Sequence, residues 1–178
     1  MRRYYLHCHS TASDGLLAPA AVVARAAGRG VDVLALTDHD DVGGIREAQE
    51  AARNAGIEFV CGAELSVSWE VHTIHIVALK IDPDNATLAD GLASIRAGRS
   101  ARARRIGDSL AAAGIPGAYE GAMKYVTSER LISRTHFARH LVETGVVGEV
   151  KDVFKRYLTP GKPGYVRHEW ASLPDAVR

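Results

Sequence analysis

The chain lacks the features of a membrane-spanning, secreted or disordered protein. No run of 18 or more apolar residues occurs among its 178 residues, and its first four residues lead into a strand-like stretch rather than a signal-peptide core. Two cysteines, Cys8 and Cys61, are too few for a disulfide framework, and we interpret both as small buried hydrophobes. A composition of 47% hydrophobic and 24% charged residues is typical of a soluble globular protein, which we expect in the cytoplasm.

The net charge of +1 hides an uneven distribution. Residues 1–90 contain 7 Lys/Arg and 13 Asp/Glu, a balance of −6, whereas residues 91–178 contain 15 and 8, a balance of +7. An acidic half that contains histidines suits cations, and a basic half suits phosphate or nucleic acid. We therefore expect the two halves to have different roles.

Strands alternate with helices in the first half of the sequence. The pattern predicts strands at residues 4–9, 31–37, 57–66 and 72–79, and helices at 19–27 and 45–54. This alternation implies parallel strands joined by right-handed crossovers, in an open α/β sheet or a barrel. In both architectures functional residues gather at the C-terminal ends of the strands.

Metal-ligand residue types occur at these strand ends. The candidates are His7, His9, Asp14, His39, Glu64 and His75. His7 and His9 are two residues apart, so on a strand their imidazoles project from one face. His75 lies in an apolar strand, where a histidine is most often a structural residue with its hydrogen bonds satisfied. The other candidate ligands at the strand ends favour a ligand role for it.

The second half is predicted to be a helical insert. A helical tract at residues 86–113 contains five arginines within ten residues, namely Arg96, Arg99, Arg102, Arg104 and Arg105. A solvated helix face is one explanation, but repulsion among these cations favours a surface that faces phosphate. Shorter helices are predicted at 120–124, 134–144 and 150–157, before a turn cluster at 160–164.

The segment around His136 has a helix-start pattern. Ser133 stands where a capping residue is expected, and Arg134 and His136 follow in the first turn of the helix. A helix N-terminus attracts anions, so a metal ligand and a phosphate clamp could be neighbours here.

Four motifs occur in order and carry a family resemblance. They are His7-Cys8-His9-Ser10 with Ser13-Asp14-Gly15, Leu36-Thr37-Asp38-His39-Asp40, Gly62-Ala63-Glu64 and His75-Ile76-Val77. With these motifs the sequence resembles the PHP family, named for polymerase and histidinol phosphatase domains. Segments 132–141 and 158–166 resemble the subgroup that has a helical insert and hydrolyses nucleotide phosphates. Members of that subgroup are 3′,5′-nucleotide bisphosphate phosphatases, some of which also act as 5′-to-3′ exonucleases on short RNA.

The resemblance implies an α/β fold: an incomplete, distorted (βα)7 PHP barrel with a helical insert domain. Residues 1–85 would form the first part of the barrel, residues 86–164 the insert, and residues 165–178 the start of the returning barrel segment.

The resemblance also implies a centre of up to three divalent metals. His7 and His9 would bind one ion, Glu64 would bridge it to a second held by His75 and His136, and Asp14 with His39 would hold a third. Mn²⁺ is favoured, and Fe²⁺, Zn²⁺ or Mg²⁺ are alternatives. Glu64 and Arg134 would be the catalytic residues, and Ser133, Arg134 and Lys162 would bind substrate. A metal-activated hydroxide would attack the phosphate.

Two features depart from the family pattern. Tyr5 occupies a position that is usually acidic, so a carboxylate that orients a ligand histidine is missing. The Ala-His-Pro and Ser-Asp-Phe-His motifs, which complete the first and third metal sites in the family, are also missing. Residues 171–178 have the signals of a helix start, so we expect a fragment of a longer enzyme with an exposed sheet edge and poor solubility.

Three functional hypotheses follow. The preferred one is metal-dependent hydrolysis of nucleotide phosphates, with a nucleotide or short RNA as the partner, no membrane and no DNA-specific partner. The second is another PHP phosphomonoesterase, such as a histidinol-phosphate phosphatase. The third is an inactive fragment that binds phosphate or RNA. The sequence leaves the oligomeric state open.

Overall fold

Strands and helices alternate along the first part of the computed structural model, which describes residues 1–70, 72–126 and 129–177. The strands are β1 Tyr4–Tyr5, β2 Val33–Leu36, β3 Glu58–Trp69, β4 His72–Leu79 and β5 Ala171–Ser172. The helices are α1 Pro19–Gly28, α2 Ile45–Ala55, α3 Ala86–Ala112, α4 Ala118–Met123, α5 Arg134–Glu143, α6 Val150–Val153 and α7 Leu173–Ala176. A 3-10 turn at Glu129–Leu131 and a π-helix at Phe154–Leu158 complete the elements.

The sheet has the order β1-β2-β3-β4, and β5 also pairs with β3. β1, β2 and β3 are parallel neighbours, with Leu36 opposite Cys61. The predicted α/β class is therefore confirmed. β4 runs antiparallel to β3, which the sequence does not predict because the alternation of side chains along a strand is the same in either direction.

Apolar residues cover one face of the sheet in two clusters. Val23 of α1 and Ala48 and Ala52 of α2 pack against Leu34 and Leu36 of β2. On β3, Ala63, Leu65 and Val67 form a second cluster with Leu92 of α3. The alternate residues of β3, Glu64 and Ser66, are also buried and lie on the opposite face. That polar face holds the candidate site.

The chain divides into two compact units. The first unit contains Met1–Ile95 and Glu169–Arg178, and the second contains Arg96–His168. The predicted domain limits at residues 85 and 164 stay a proposal, and Arg178 lies outside the described residues. The second unit is helical, and its core includes Phe137, Leu141 and Leu158, each fully buried.

Most elements differ from their predicted bounds by one to three residues, and two differ further. The first strand ends at Tyr5 rather than His9, because the Thr37 hydroxyl accepts a hydrogen bond from Cys8 N at 3.1 Å in place of a ladder partner. The predicted helix at residues 150–157 is α-helical only to Val153 and continues as the π-helix. The predicted helix start after residue 171 is present, with Ser172 as the cap of α7.

Within the described ranges, no helix has both the length and the apolar character needed to cross a membrane.

The packing of α1 and α2 on β2 generates a stability prediction. Leu34 is 0% exposed, whereas Leu16 is 78% exposed. Leu34→Ala leaves a cavity and should lower the free energy of unfolding by about 2–5 kcal/mol, and Leu16→Ala should change it by less than about 0.5 kcal/mol. Urea unfolding of both variants measures this difference. Equal losses in the two variants would contradict the assignment of Leu34 to the core.

Candidate metal centre

The segment that follows β1 directs two histidines away from the core. Thr37 N donates to Cys8 O at 2.9 Å, and the Cys8 thiol donates to Ala35 O at 3.1 Å, so the segment runs beside β2. Cys8 packs into the apolar cluster, and burial raises the pKa of its thiol to about 11. Because side chains alternate along an extended chain, His7 and His9 lie on the other side together.

The register of the parallel strands places His39 beside Glu64. Leu36 pairs with Cys61 at the end of the β2-β3 ladder, and His39 pairs with Glu64 three residues further on. Asp40 N donates to Glu64 O at 2.9 Å, and Glu64 N donates to Asp38 O at 3.0 Å. His75 comes from β4, where it pairs with Ser66, two residues beyond Glu64 and on the same face.

These elements place four imidazoles around one carboxylate. Glu64 Oε2 is 2.7 Å from His7 Nε2, 3.1 Å from His9 Nε2 and 3.8 Å from His39 Nδ1. Glu64 Oε1 is 3.2 Å from His75 Nδ1. The rings form a row in which His9 stacks on His39 with centroids 4.6 Å apart. Asp14 lies at the side of this row, its Oδ1 3.9 Å from His9 Nδ1.

The ligand atoms fall into three overlapping groups. In each group, the ligand atoms all lie within 4.8 Å of one another: His7, His9 and Glu64; His9, Asp14 and His39; His39, Glu64 and His75. His9 Nδ1 and His39 Nδ1 are buried, and no residue in the described part of the chain makes a hydrogen bond to them. Ring nitrogens in this state can bind a cation, and mixed imidazole and carboxylate ligands suit Mn²⁺, Fe²⁺ or Zn²⁺. The donor set therefore fits divalent metals.

The electrostatics of the site centre on Glu64. Burial alone would raise the pKa of Glu64, but hydrogen bonds from His9 and His7 and the charges of His39 and His75 lower it to about 2. Burial alone would lower the pKa of His9, but its hydrogen bond to Glu64 and the charge of Asp14 outweigh burial and raise it. Burial lowers the pKa of His39 to about 4, so this imidazole is neutral at physiological pH, as a metal ligand must be.

Two buried carboxylates next to His39 have roles that the sequence did not reveal. Asp38 is 2% exposed and accepts hydrogen bonds from Ser10 and Ser13, and Asp40 is 0% exposed and accepts hydrogen bonds from Ser66. Hydroxyl residues near the ligands are the only sequence signal of these contacts, and serines are too common for that signal to be specific.

The other predicted site residues lie in the second unit, at and around α5. Ser133 caps this helix by accepting from Thr135 N at 3.2 Å. The Arg134 guanidinium donates to Leu158 O at 3.1 Å, and burial lowers the pKa of Arg134. Lys162 is exposed in the turn that follows the π-helix, where its backbone N donates to Thr159 O at 3.0 Å.

His136 has a structural hydrogen bond that affects its predicted metal role. Ser133 N donates to His136 Nδ1 at 3.0 Å, so Nδ1 is an acceptor and the proton of the neutral ring is on Nε2. A ligand histidine has the opposite arrangement, with one nitrogen bound to metal and the other donating. This geometry argues against His136 as a metal ligand, and the metal set proposed below omits it.

The fold and the site define an α/β protein in which imidazoles and a shared carboxylate gather where parallel strands end. The chain belongs to the PHP domain family, which matches residues 5–157. The predicted family resemblance is therefore confirmed.

Several relatives share nearly the whole of this chain. A 3′,5′-nucleoside bisphosphate phosphatase of Chromobacterium violaceum is 59% identical over 172 residues, covering 97% of this chain and 60% of the relative. A 5′-3′ exoribonuclease of Haemophilus influenzae is 48% identical, covering 99% of this chain and 64% of the relative. A solved Chromobacterium violaceum amidohydrolase with bound sulfate and no metal has a TM-score of 0.97 at 58% identity, covering 98% of this chain and 62% of that one. The chain thus spans about 60% of the length of these relatives.

The lowered pKa of His39 predicts how pH affects the stability of the metal-free protein. Below about pH 6.5 the unfolded chain binds a proton at His39, whereas the folded chain binds it only near its folded pKa of about 4. Stability conferred by neutral His39 is therefore present above pH 6.5 and is lost as pH falls toward 4, by roughly 2–3 kcal/mol.

Urea unfolding of metal-free protein at pH 7 and pH 5 tests this prediction. His39→Asn should show a smaller loss of stability between the two pH values than the wild type. His72→Asn, which changes an exposed histidine on β4, is the matched control and should behave as the wild type. An equal pH dependence in the wild type and His39→Asn would show that His39 is not the group responsible.

Proposed function

We propose that this chain provides the metal-binding part of a phosphoesterase that removes phosphate from nucleotides. The observation that carries the proposal is the set of three overlapping ligand groups, in which His9, His39 and Glu64 each belong to two groups. Shared ligands bring cations close together, and close cations are the usual means of stabilising both the attacking and the leaving oxygen of a phosphate ester.

The metal ligands would be His7, His9, Asp14, His39, Glu64 and His75, with Glu64 shared between two of the ligand groups. Divalent ions held there, of which we favour Mn²⁺, would lower the pKa of water and neutralise charge on the phosphoryl oxygens. Glu64 is ionised at neutral pH, so both of its oxygens are available as ligands. His9 stacks on His39, which limits the movement of both rings.

The second unit has the groups that we propose to bind substrate phosphate. Arg134 donates one of its five N–H groups to Leu158 O. It is the first residue of α5 and directly follows the cap residue Ser133. Burial, and then the charges of Arg134 and Arg99, lower the pKa of Arg102 to about 10, so cationic groups lie close together. An anion would relieve this repulsion. We propose Arg134, Ser133 and Lys162 as phosphate-binding residues, with Arg134 also stabilising charge in the transition state.

The relatives indicate the class of substrate. One is named as a nucleoside bisphosphate phosphatase and others as 5′-3′ exoribonucleases, and a solved relative has bound sulfate, which resembles phosphate in shape and charge. We propose 3′,5′-bisphosphate nucleotides as substrates, together with the 5′ ends of short RNA.

Release of inorganic phosphate from 3′,5′-bisphosphoadenosine by the full-length protein tests the proposal. We expect turnover with Mn²⁺, its loss in excess chelator, and its return when Mn²⁺ is restored. Histidinol phosphate should be a poorer substrate by at least about tenfold in kcat/KM, a difference of roughly 1.4 kcal/mol. Preference for histidinol phosphate would favour the second hypothesis, and salt-sensitive RNA binding without turnover would favour the binding protein.

Arg134→Lys tests the proposed phosphate clamp. Lysine retains the charge but loses the planar fork that binds two phosphate oxygens, so kcat/KM for the bisphosphate should fall about tenfold or more. Arg156→Lys changes an exposed arginine of the π-helix and is the matched control, for which we expect no change. An unchanged kcat/KM in Arg134→Lys would contradict the clamp.

A further inference from the structure

Asp38 holds the loop that connects two of the candidate ligands. Its Oδ1 accepts from Ser10 N at 2.7 Å and from Ser13 Oγ at 2.6 Å, and its Oδ2 accepts from Ser10 Oγ at 2.7 Å. Ser10 directly follows His9, and Ser13 directly precedes Asp14. One buried carboxylate at the end of β2 therefore fixes both ends of the segment between these ligands.

The loop itself is tight, so its anchoring decides where Asp14 lies. Gly15 N and Ser13 N donate to Ser10 O at 2.8 and 3.1 Å. A Cβ atom added at Gly15 would collide with the backbone of His9 and Ser10, so the chain passes over itself here. With Ser10 held by Asp38, this turn directs Asp14 toward His9 and His39, its partners in one ligand group.

Asp40 has the equivalent position on the other side of His39. It accepts from Ser66 N at 2.6 Å and from Ser66 Oγ at 2.8 Å, and its own backbone N donates to Glu64 O at 2.9 Å. Its φ of +51° is in the left-handed region, where residues other than glycine are uncommon. These contacts join the loop of His39 to the strand that contains Glu64.

We infer that Asp38 and Asp40 are positioning residues that hold the segments containing His9, Asp14, His39 and Glu64 in metal-binding geometry without binding metal themselves. This inference rests on the metal centre of the proposed function. Among the described residues, the three ligand groups include neither carboxylate. Both are buried, and their oxygens accept hydrogen bonds from Ser10, Ser13 and Ser66, each of which lies within two residues of a ligand in the sequence. Outer residues fix ligand orientation by this arrangement.

Asparagine at these two positions distinguishes positioning from simple space filling. In Asp38→Asn, the amide oxygen can still accept from Ser10 N and Ser13 Oγ, but the NH₂ group then faces Ser10 Oγ. That hydroxyl already accepts from Ala12 N, so it would meet two donors and lose its own acceptor. The variant keeps the size of the side chain, disturbs the hydrogen bonds that hold the loop, and removes the negative charge of Asp38. Asp32→Asn also removes a negative charge, at a distance from the site.

Calorimetric titration of the metal-free, full-length protein with Mn²⁺ provides the test. We expect Asp38→Asn and Asp40→Asn to raise the Kd for Mn²⁺ by about 10- to 100-fold, the usual effect of losing an outer hydrogen-bond partner. Asp32→Asn is the matched control, since Asp32 accepts from Arg3 N at 2.6 Å at the opposite end of β2 and should leave the Kd unchanged. Circular dichroism confirms that each variant is folded at the titration temperature.

A double-mutant cycle separates positioning from direct ligation. Ser10→Ala removes the hydroxyl that donates to Asp38 Oδ2, which is the hydrogen bond that Asp38→Asn breaks, and it should itself weaken Mn²⁺ binding. Ser10→Ala combined with Asp38→Asn should bind Mn²⁺ no more weakly than Asp38→Asn alone. Additive losses would mean that Asp38 acts independently of the loop and would overturn the inference, as would unchanged Kd values in both Asp variants. A wild-type protein that binds no Mn²⁺ would overturn the proposed function as well, so the two failures are distinguishable.

Discussion

The buried carboxylate of Glu64 is the group on which the arrangement of the site depends. Isolated in the protein interior this carboxylate would be strongly destabilising, and it is stable there because imidazoles from three different segments surround it. The parallel register of β2 and β3 places it beside His39, and the antiparallel ladder with β4 brings His75 to the same face. The secondary structure of the first unit thus determines the geometry of the ligands.

Much of this arrangement could be predicted from the sequence because it follows from local periodicity. The two-residue spacing of His7 and His9 requires a shared face, and the position of Glu64 late in a strand places it at the edge where parallel strands end. The α/β class follows from the same periodicity, whereas the PHP family is predicted from the resemblance of four ordered motifs.

Other features could not be predicted, because they depend on which groups pair with one another, and the periodicity of side chains does not specify that. The direction of β4 depends on which strand it meets, and the contact between Asp40 and Ser66 spans 26 residues. The orientation of His136 depends on a single backbone hydrogen bond within the cap of α5. A helix-start pattern predicts the cap itself, but it does not specify which ring nitrogen accepts.

The difference in charge between the halves of the sequence corresponds to two kinds of chemistry. The first unit collects carboxylates and imidazoles, which suit cations, and the second collects partly buried arginines, which suit phosphate. In the proposed function, the first unit would hold the cations and the second unit would supply hydrogen-bond donors for the phosphate.

The most direct test of the central claim is the number of Mn²⁺ ions bound per chain at equilibrium dialysis, compared between the wild type and Glu64→Gln. An uncharged amide of the same size cannot bridge two cations through two oxygens. Our account predicts at least two ions per wild-type chain and a loss of at least one in the variant. Equal numbers of bound ions in the two proteins would contradict the assignment of Glu64 as the shared ligand.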